Sequence, residues 1–96
     1  MFQNDCYTTR GVQATVSAPL QLLLWYLIDS MDAAEKDWLQ VFELEPAEKG
    51  QRIIHTQEKP PYRNEHALRF GDVPLRAKLF VIDDGDHSTM LLADEY

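Results

Sequence analysis

Apolar positions are densest between Leu20 and Met31. Leu20, Leu23, Leu24, Leu27, Ile28 and Met31 recur at i, i+3, i+4, i+7, i+8 and i+11. That is one stripe of a helix turning about 100° per residue. Ser17-Ala18-Pro19 opens it: a serine hydroxyl suits the free N–H groups of a first turn, and proline is tolerated there. Asp29, Asp32 and Glu35 place negative charge where the helix dipole is already negative, so the pattern predicts an early stop, between Met31 and Ala34. The stripe is the face expected to pack on a sheet.

Elsewhere the pattern shortens to runs of β-branched and aromatic residues bounded by breakers. Tyr7–Val12 predicts a short strand ending near Gly11, with a second extended stretch at Gln13–Val16. Trp38–Leu44 and Gln51–Gln57 predict two strands joined by the loop Pro46–Gly50 as an antiparallel hairpin. Lys59–Asn64, with two adjacent prolines, predicts an irregular extended path. Ala67–Phe70 reads as a short strand closed by Gly71-Asp72. Leu75–Asp83 is the strongest strand; Asp84-Gly85 signals a hairpin turn, Ser88–Ala93 returns, and Asp94-Glu95-Tyr96 is a polar tail. One helix followed by successive hairpins predicts an α+β fold. Its helix, amphipathic to apolar, would pack on an antiparallel sheet of about four to six strands. The 96 residues fit a single domain, 1–96.

The same helical wheel leaves an excess. Leu22, Trp25 and Tyr26 fall opposite the stripe, where a helix on a small sheet is ordinarily polar. Either the N-terminal segment or the Pro60–Tyr62 loop folds over them, or they form an interface, where Trp and Tyr are enriched. A chain this short has little material for a second layer, which favours the interface.

Composition narrows the function classes. Apolar residues make up 45 % of the chain, enough for a core without disulfide or metal staples. The single cysteine, Cys6, excludes an intrachain disulfide and fits a reducing compartment. Asp5 beside it and no adjacent histidine leave nothing to lower its pKa. The formal net charge of −7 argues against direct binding of nucleic acid or an anionic membrane, and leaves a basic protein or a divalent cation as partners. Met1–Asp5 lacks a positive leader, and Leu20–Ile28 is too short to span a bilayer, so the expected location is cytoplasmic.

Candidate chemistry is sparse. His55, Glu58 and His66 match no zinc spacing, so no metal or cofactor is expected. Asp83-Asp84-Gly85-Asp86 resembles half a calcium loop without the closing glutamate, and reads as a solvated turn. Five of the last fourteen residues are acidic and none is basic. The glycines stand singly, so no phosphate loop exists, and no Ser, Thr or Lys has an activating neighbour. The most particular stretch runs from His55 through Gln57, Glu58, Pro60 and Pro61 to Tyr62. It is either a strand end with a loop closing the core, or a preorganised recognition loop, since proline lowers the ordering cost of binding.

Several of these segments resemble a known family. Thr8-Thr9-Arg10-Gly11, Leu22–Asp29, Leu39–Leu44, His55-Thr56-Gln57-Glu58 and Pro61-Tyr62 are similar to a family of small uncharacterised proteins first described from staphylococci and found in related Gram-positive bacteria. The resemblance covers the first two-thirds of the chain, through Tyr62. It implies a bacterial cytosolic protein of one domain, and carries over no catalytic residue.

The sequence therefore predicts a non-enzymatic module that binds another protein or forms a homo-oligomer, through Leu22, Trp25 and Tyr26. Two alternatives differ in class. One is an acidic decoy inhibitor of a DNA-binding protein, which needs ordered rows of acids. The other is a metal-dependent or small-molecule enzyme, which needs His55, Glu58, Tyr62 and His66 to converge.

Overall fold

The structure, a computed structural model, describes residue 2, residues 4–69 and residues 74–96. Six strands and two helices follow in the order β1 (Asp5–Thr8), α1 (Arg10–Thr15), α2 (Ala18–Asp29), β2 (Leu39–Ala47), β3 (Gly50–Gln57), β4 (Tyr62–Leu68), β5 (Ala77–Asp83) and β6 (His87–Leu92), with a 3₁₀ turn at Ala93–Glu95. The sheet order is β1-β6-β5-β2-β3-β4. Every neighbouring pair is antiparallel except β1 with β6, which run parallel, so the predicted α+β fold stands with a mixed rather than wholly antiparallel sheet. The parallel pair follows from α1 and α2, which carry the chain away from β1 before the hairpins begin.

The long helix forms over the predicted stripe but stops at Asp29, short of the predicted end between Met31 and Ala34. Leu24 and Ile28 are fully buried, and Leu20 and Leu27 nearly so. Burial of each such side chain contributes about 2 kcal/mol. Leu23 and Met31 pack against the rim of this core. Ser17 is the N-cap residue, but its side chain makes no capping bond; the Gln21 amide instead donates to the Val16 carbonyl at 2.7 Å.

Three further predicted boundaries are corrected. The first strand ends at Thr8, and the predicted extended stretch Gln13–Val16 lies in α1 and its C-cap. Thr9 caps that helix by accepting from the Val12 N–H at 3.3 Å, and Val12 and Val16, four apart, both turn into the core. The stretch Lys59–Asn64 is irregular only to Pro61: β4 begins at Tyr62 and pairs with β3 from Gln57↔Tyr62 to Gln51↔Leu68. The predicted short strand Ala67–Phe70 and its Gly71-Asp72 stop fall partly outside the described residues; Ala67 and Leu68 are the end of β4.

Strand alternation gives the sheet two unlike faces. Phe42, Leu44, Ile53, Leu79, Val81 and Met90 meet both helices in one core. The opposite face carries no helix among the described residues.

Candidate functional site

The core face also holds polar side chains. Gln40, Gln51, His55, Gln57, Asp83 and Ser88 are all buried. Gln40 shares the parity of Phe42 and Leu44 on β2, and Gln51, His55 and Gln57 share that of Ile53 on β3. A buried polar group must find partners, and these find one another. Gln40 donates from its amide to Gln57 Oε1 at 2.7 Å and to the Asp37 carbonyl at 2.9 Å, which leaves its own Oε1 to accept from His55 Nε2 at 2.7 Å. Gln57 in turn donates to the carbonyls of Glu35 and Pro60 and accepts from the Asp37 N–H. The chain of bonds thereby ties the irregular segment after α2 and the proline loop to the sheet. Gln51 does the same at the other end of β3: its amide donates to Glu45 O and Leu75 O, and its Oε1 accepts from Leu75 N–H.

His55 is fully buried, stacked on Phe42 at 4.3 Å and edge-on to Tyr62 at 5.3 Å. Because Gln40 Oε1 is an acceptor, the proton of the neutral ring sits on Nε2, and Nδ1 is a buried acceptor without a partner. Protonation would place an N–H there with nothing to receive it. Burial, with the nearby His66 adding to it, lowers the His55 pKa to about 4.

The other predicted residues are dispersed. Glu58 is exposed and lines a recess on the far side of the sheet with Leu39, Val41 and Thr56, away from the core-facing His55 ring. His66 is half-buried on β4, opposite Ile53. Pro60 and Pro61 are exposed, the Lys59–Pro60 bond is cis, and Tyr62 closes over His55. The stretch His55–Tyr62 therefore divides: His55 and Gln57 are built into the interior with the half-buried Tyr62 at its edge, and Glu58, Pro60 and Pro61 face solvent. Among the described residues no three His, Cys, Asp or Glu side chains gather as a metal-binding group.

The acidic turn is held by its own backbone. Asp83 accepts from Phe2 N–H at 2.6 Å, Gly85 N–H at 2.8 Å and the Asn4 amide at 3.0 Å. Burial pushes its pKa up, and these bonds outweigh that, holding the carboxyl below its usual value. Asp84 accepts from the N–H groups of Asp86 and His87, as a solvated turn should. The Cys6 thiol is exposed, and partial desolvation with the Asp29 and Asp5 carboxylates raises its pKa, opposite to an activated nucleophile.

Two apolar surfaces remain. On the back of α2, Leu22 is 70 % and Tyr26 63 % exposed, and among the described residues neither predicted cover lies over them; Trp25 turns partly inward against the core rim. The helix-free face of the sheet is the broader one. Its register aligns Leu91, Phe80 and Val41 in one row across β6, β5 and β2, and Tyr7, Thr89, Ile82 and Leu39 in the next. Beyond them the face turns charged, with Lys78 opposite Glu43, and Arg52 paired with Glu45 and Glu65. Tyr7 is 53 % exposed, and Tyr96, edge-on to Phe80 at 5.6 Å, is 74 % exposed. These two rings alone present on the order of 250 Å² to solvent.

Similarity to known proteins extends to fold and family. A crystal structure of a protein of unknown function from Enterococcus faecalis superposes with a TM-score of 0.79 at 21 % identity, covering 97 % of this chain and 91 % of that one. At that identity the likeness shows the fold alone. No curated protein matches. A family model described as "Staphylococcal protein of unknown function (DUF960)" matches residues 5–95, which carries the likeness past Tyr62 through the C-terminal hairpin.

Proposed function

We propose, for a chain that belongs to the DUF960 family of staphylococcal proteins of unknown function, a non-enzymatic role in protein binding with the helix-free sheet face as the working surface. The observation that carries the reading is the two-row apolar patch of Tyr7, Leu39, Val41, Phe80 and Ile82 around the buried Leu91, bordered by Lys78 and Glu43 on one side and by Asp5 and His87 on the other. Sheet edges are the usual route to unwanted association, and here they are guarded. The edge strand β4 carries Arg63 and Glu65, and the Asn64 side chain accepts from the outward Glu65 N–H at 3.0 Å. The other edge, β1, is four residues long. A chain that protects its edges while leaving apolar rows on a face is built for a face-on contact.

The test is a photo-crosslinking residue placed at Ile82 in the native host, with one at Glu43 on the charged half as control. The reading expects a discrete adduct from position 82, abolished by Val41→Lys, and none from position 43. No adduct from 82, or equal adducts from both, overturns it. An adduct of twice the chain mass identifies self-association.

The exposure of Leu22 and Tyr26 supports a second reading, in which α2 meets the partner. A crosslinker at Tyr26 distinguishes the two. An acidic decoy has less support, because Glu45 and Glu65 on the sheet face pair with Arg52 and Glu43 lies opposite Lys78, rather than these acids standing in an open row.

A further inference from the structure

The helix-free face ends, at the edge of its apolar rows, in a recess of about 310 Å³ lined by Asp37, Leu39, Val41, Thr56, Gln57 and Glu58. That is the lower limit of ligand pockets, room for one amino-acid side chain rather than a cofactor. We infer that this recess receives an arginine or lysine side chain from a basic protein partner: its apolar floor takes the aliphatic stem and Glu58 the charged head. The inference rests on the face-on binding reading and adds the chemistry of the partner.

Three features point to a cationic side chain. Leu39 and Val41 are half-buried neighbours on β2, facing away from the core, and offer a floor against which a methylene stem packs. Two carboxylates stand at the wall, and they differ in what they already do. Asp37 is committed: it accepts from the N–H groups of Trp38 at 2.9 Å and Lys59 at 3.2 Å, which fixes the recess in shape. Glu58, at the recess wall, has neither a hydrogen bond nor an ion pair through its side chain among the described residues, so its carboxylate keeps acceptor capacity to spare. Lys36 and Lys59 flank these acids in sequence, yet neither pairs with them among the described residues. A guanidinium would bond such a carboxylate in bidentate fashion while its stem shields the pair from water. The seven net negative charges of the chain add long-range attraction for a basic partner, and disfavour a second copy of the same acidic surface.

The test uses N-acetyl-arginine amide as probe and the uncharged isostere N-acetyl-citrulline amide as control, titrated into ¹⁵N-labelled full-length protein. The expected result is saturable shifts confined to residues 37–41 and 56–58, at least tenfold weaker with citrulline, and tenfold weaker again in Glu58→Gln, whose remaining spectrum is unchanged. Shifts that do not saturate, that spread over every acidic segment, that are equal for the two probes, or that survive Glu58→Gln would each overturn the assignment. Asp37 is left intact because its bonds hold the loop. The two readings fail separately. Adducts from Ile82 with no arginine binding refute the cationic recess and keep the face; arginine binding with no adduct does the reverse.

Discussion

His55 Nε2 lies 2.7 Å from Gln40 Oε1 inside the hydrophobic core, and the other ring nitrogen has no partner. That bond fixes the tautomer, and burial with the unpartnered nitrogen fixes the charge, of the only fully buried histidine among the described residues. The neutral ring is the form the core accepts.

This has a pH signature. The folded pKa of about 4 is below the unfolded value of 6.5, so the unfolded chain binds the extra proton first as pH falls. The stabilisation is fully present above about pH 6.5 and is lost as pH falls from there to about 4, on the order of 3 kcal/mol for this group. Urea unfolding at pH 7 and pH 4.5 measures it. In His55→Leu the loss across that window should disappear, at a cost of about 2 kcal/mol at pH 7 for the acceptor left unpaired on Gln40. An unchanged pH dependence in His55→Leu would show that other groups titrate in that range.

Gln57 makes four bonds, to the Asp37 N–H, the Gln40 amide and two loop carbonyls. Gln57→Leu keeps the volume and strands all of them. The expected loss is about 3 kcal/mol, larger than an average core substitution, because several groups are left buried without partners. Amide exchange should accelerate first in the segments around Glu35 and Pro60, which Gln57 ties down.

How much of this was legible in the sequence depends on length of pattern. The stripe from Leu20 to Met31 repeats often enough to specify α2, and Asp84-Gly85 specifies its hairpin turn, where Gly85 has φ of 102°. Val12 and Val16 are a single helical interval, so six residues of α1 read equally well as a strand. The prolines at 60 and 61 masked the start of β4, since a strand can begin directly after proline. Glutamine usually marks the solvent side, which hid Gln40, Gln51 and Gln57. The available signal was parity: each sits two residues, or a multiple of two, from Phe42 or Ile53. The helix-free face was hidden for a different reason. Leu39, Val41, Phe80 and Ile82 look like ordinary strand residues until the topology puts both helices on the opposite side.

Asp83 ties the N-terminal segment to the sheet through Phe2 and Asn4, and Ser88 adds a bond from its hydroxyl to Asn4 Oδ1 at 2.6 Å. Its lowered pKa means the stabilisation is present above the ordinary carboxylate pKa and is lost as pH falls from there through the folded value, below the His55 window. Asp83→Ala should cost about 3 kcal/mol at neutral pH, by unpairing the N–H groups of Phe2 and Gly85. Asp83→Asn should cost less and flatten only the acid end of the stability profile. Thermal melts from pH 2 to pH 7 separate the two effects; an Asp83→Asn profile parallel to wild type throughout would refute the linkage.

The closest backbone approach identified at a glycine lies at the β2–β3 turn, and it sets a contrast between two glycines. A Cβ added at Gly50 would fall 2.0 Å from the Leu68 carbonyl oxygen, so β3 and β4 could keep their register only by moving apart. A Cβ at Gly85 would meet nothing within 4 Å, and its penalty there is the left-handed backbone alone. Gly85→Ala should therefore cost about 1 kcal/mol with the sheet intact. Gly50→Ala should cost about 3 kcal/mol and raise amide exchange along Tyr62–Leu68, because the clash is with main chain that cannot rotate away. Equal costs for the two substitutions would mean that β4 yields freely at Leu68, and that this edge is held by its side-chain pairs, Arg52 with Glu65 among them, rather than by the close fit at Gly50.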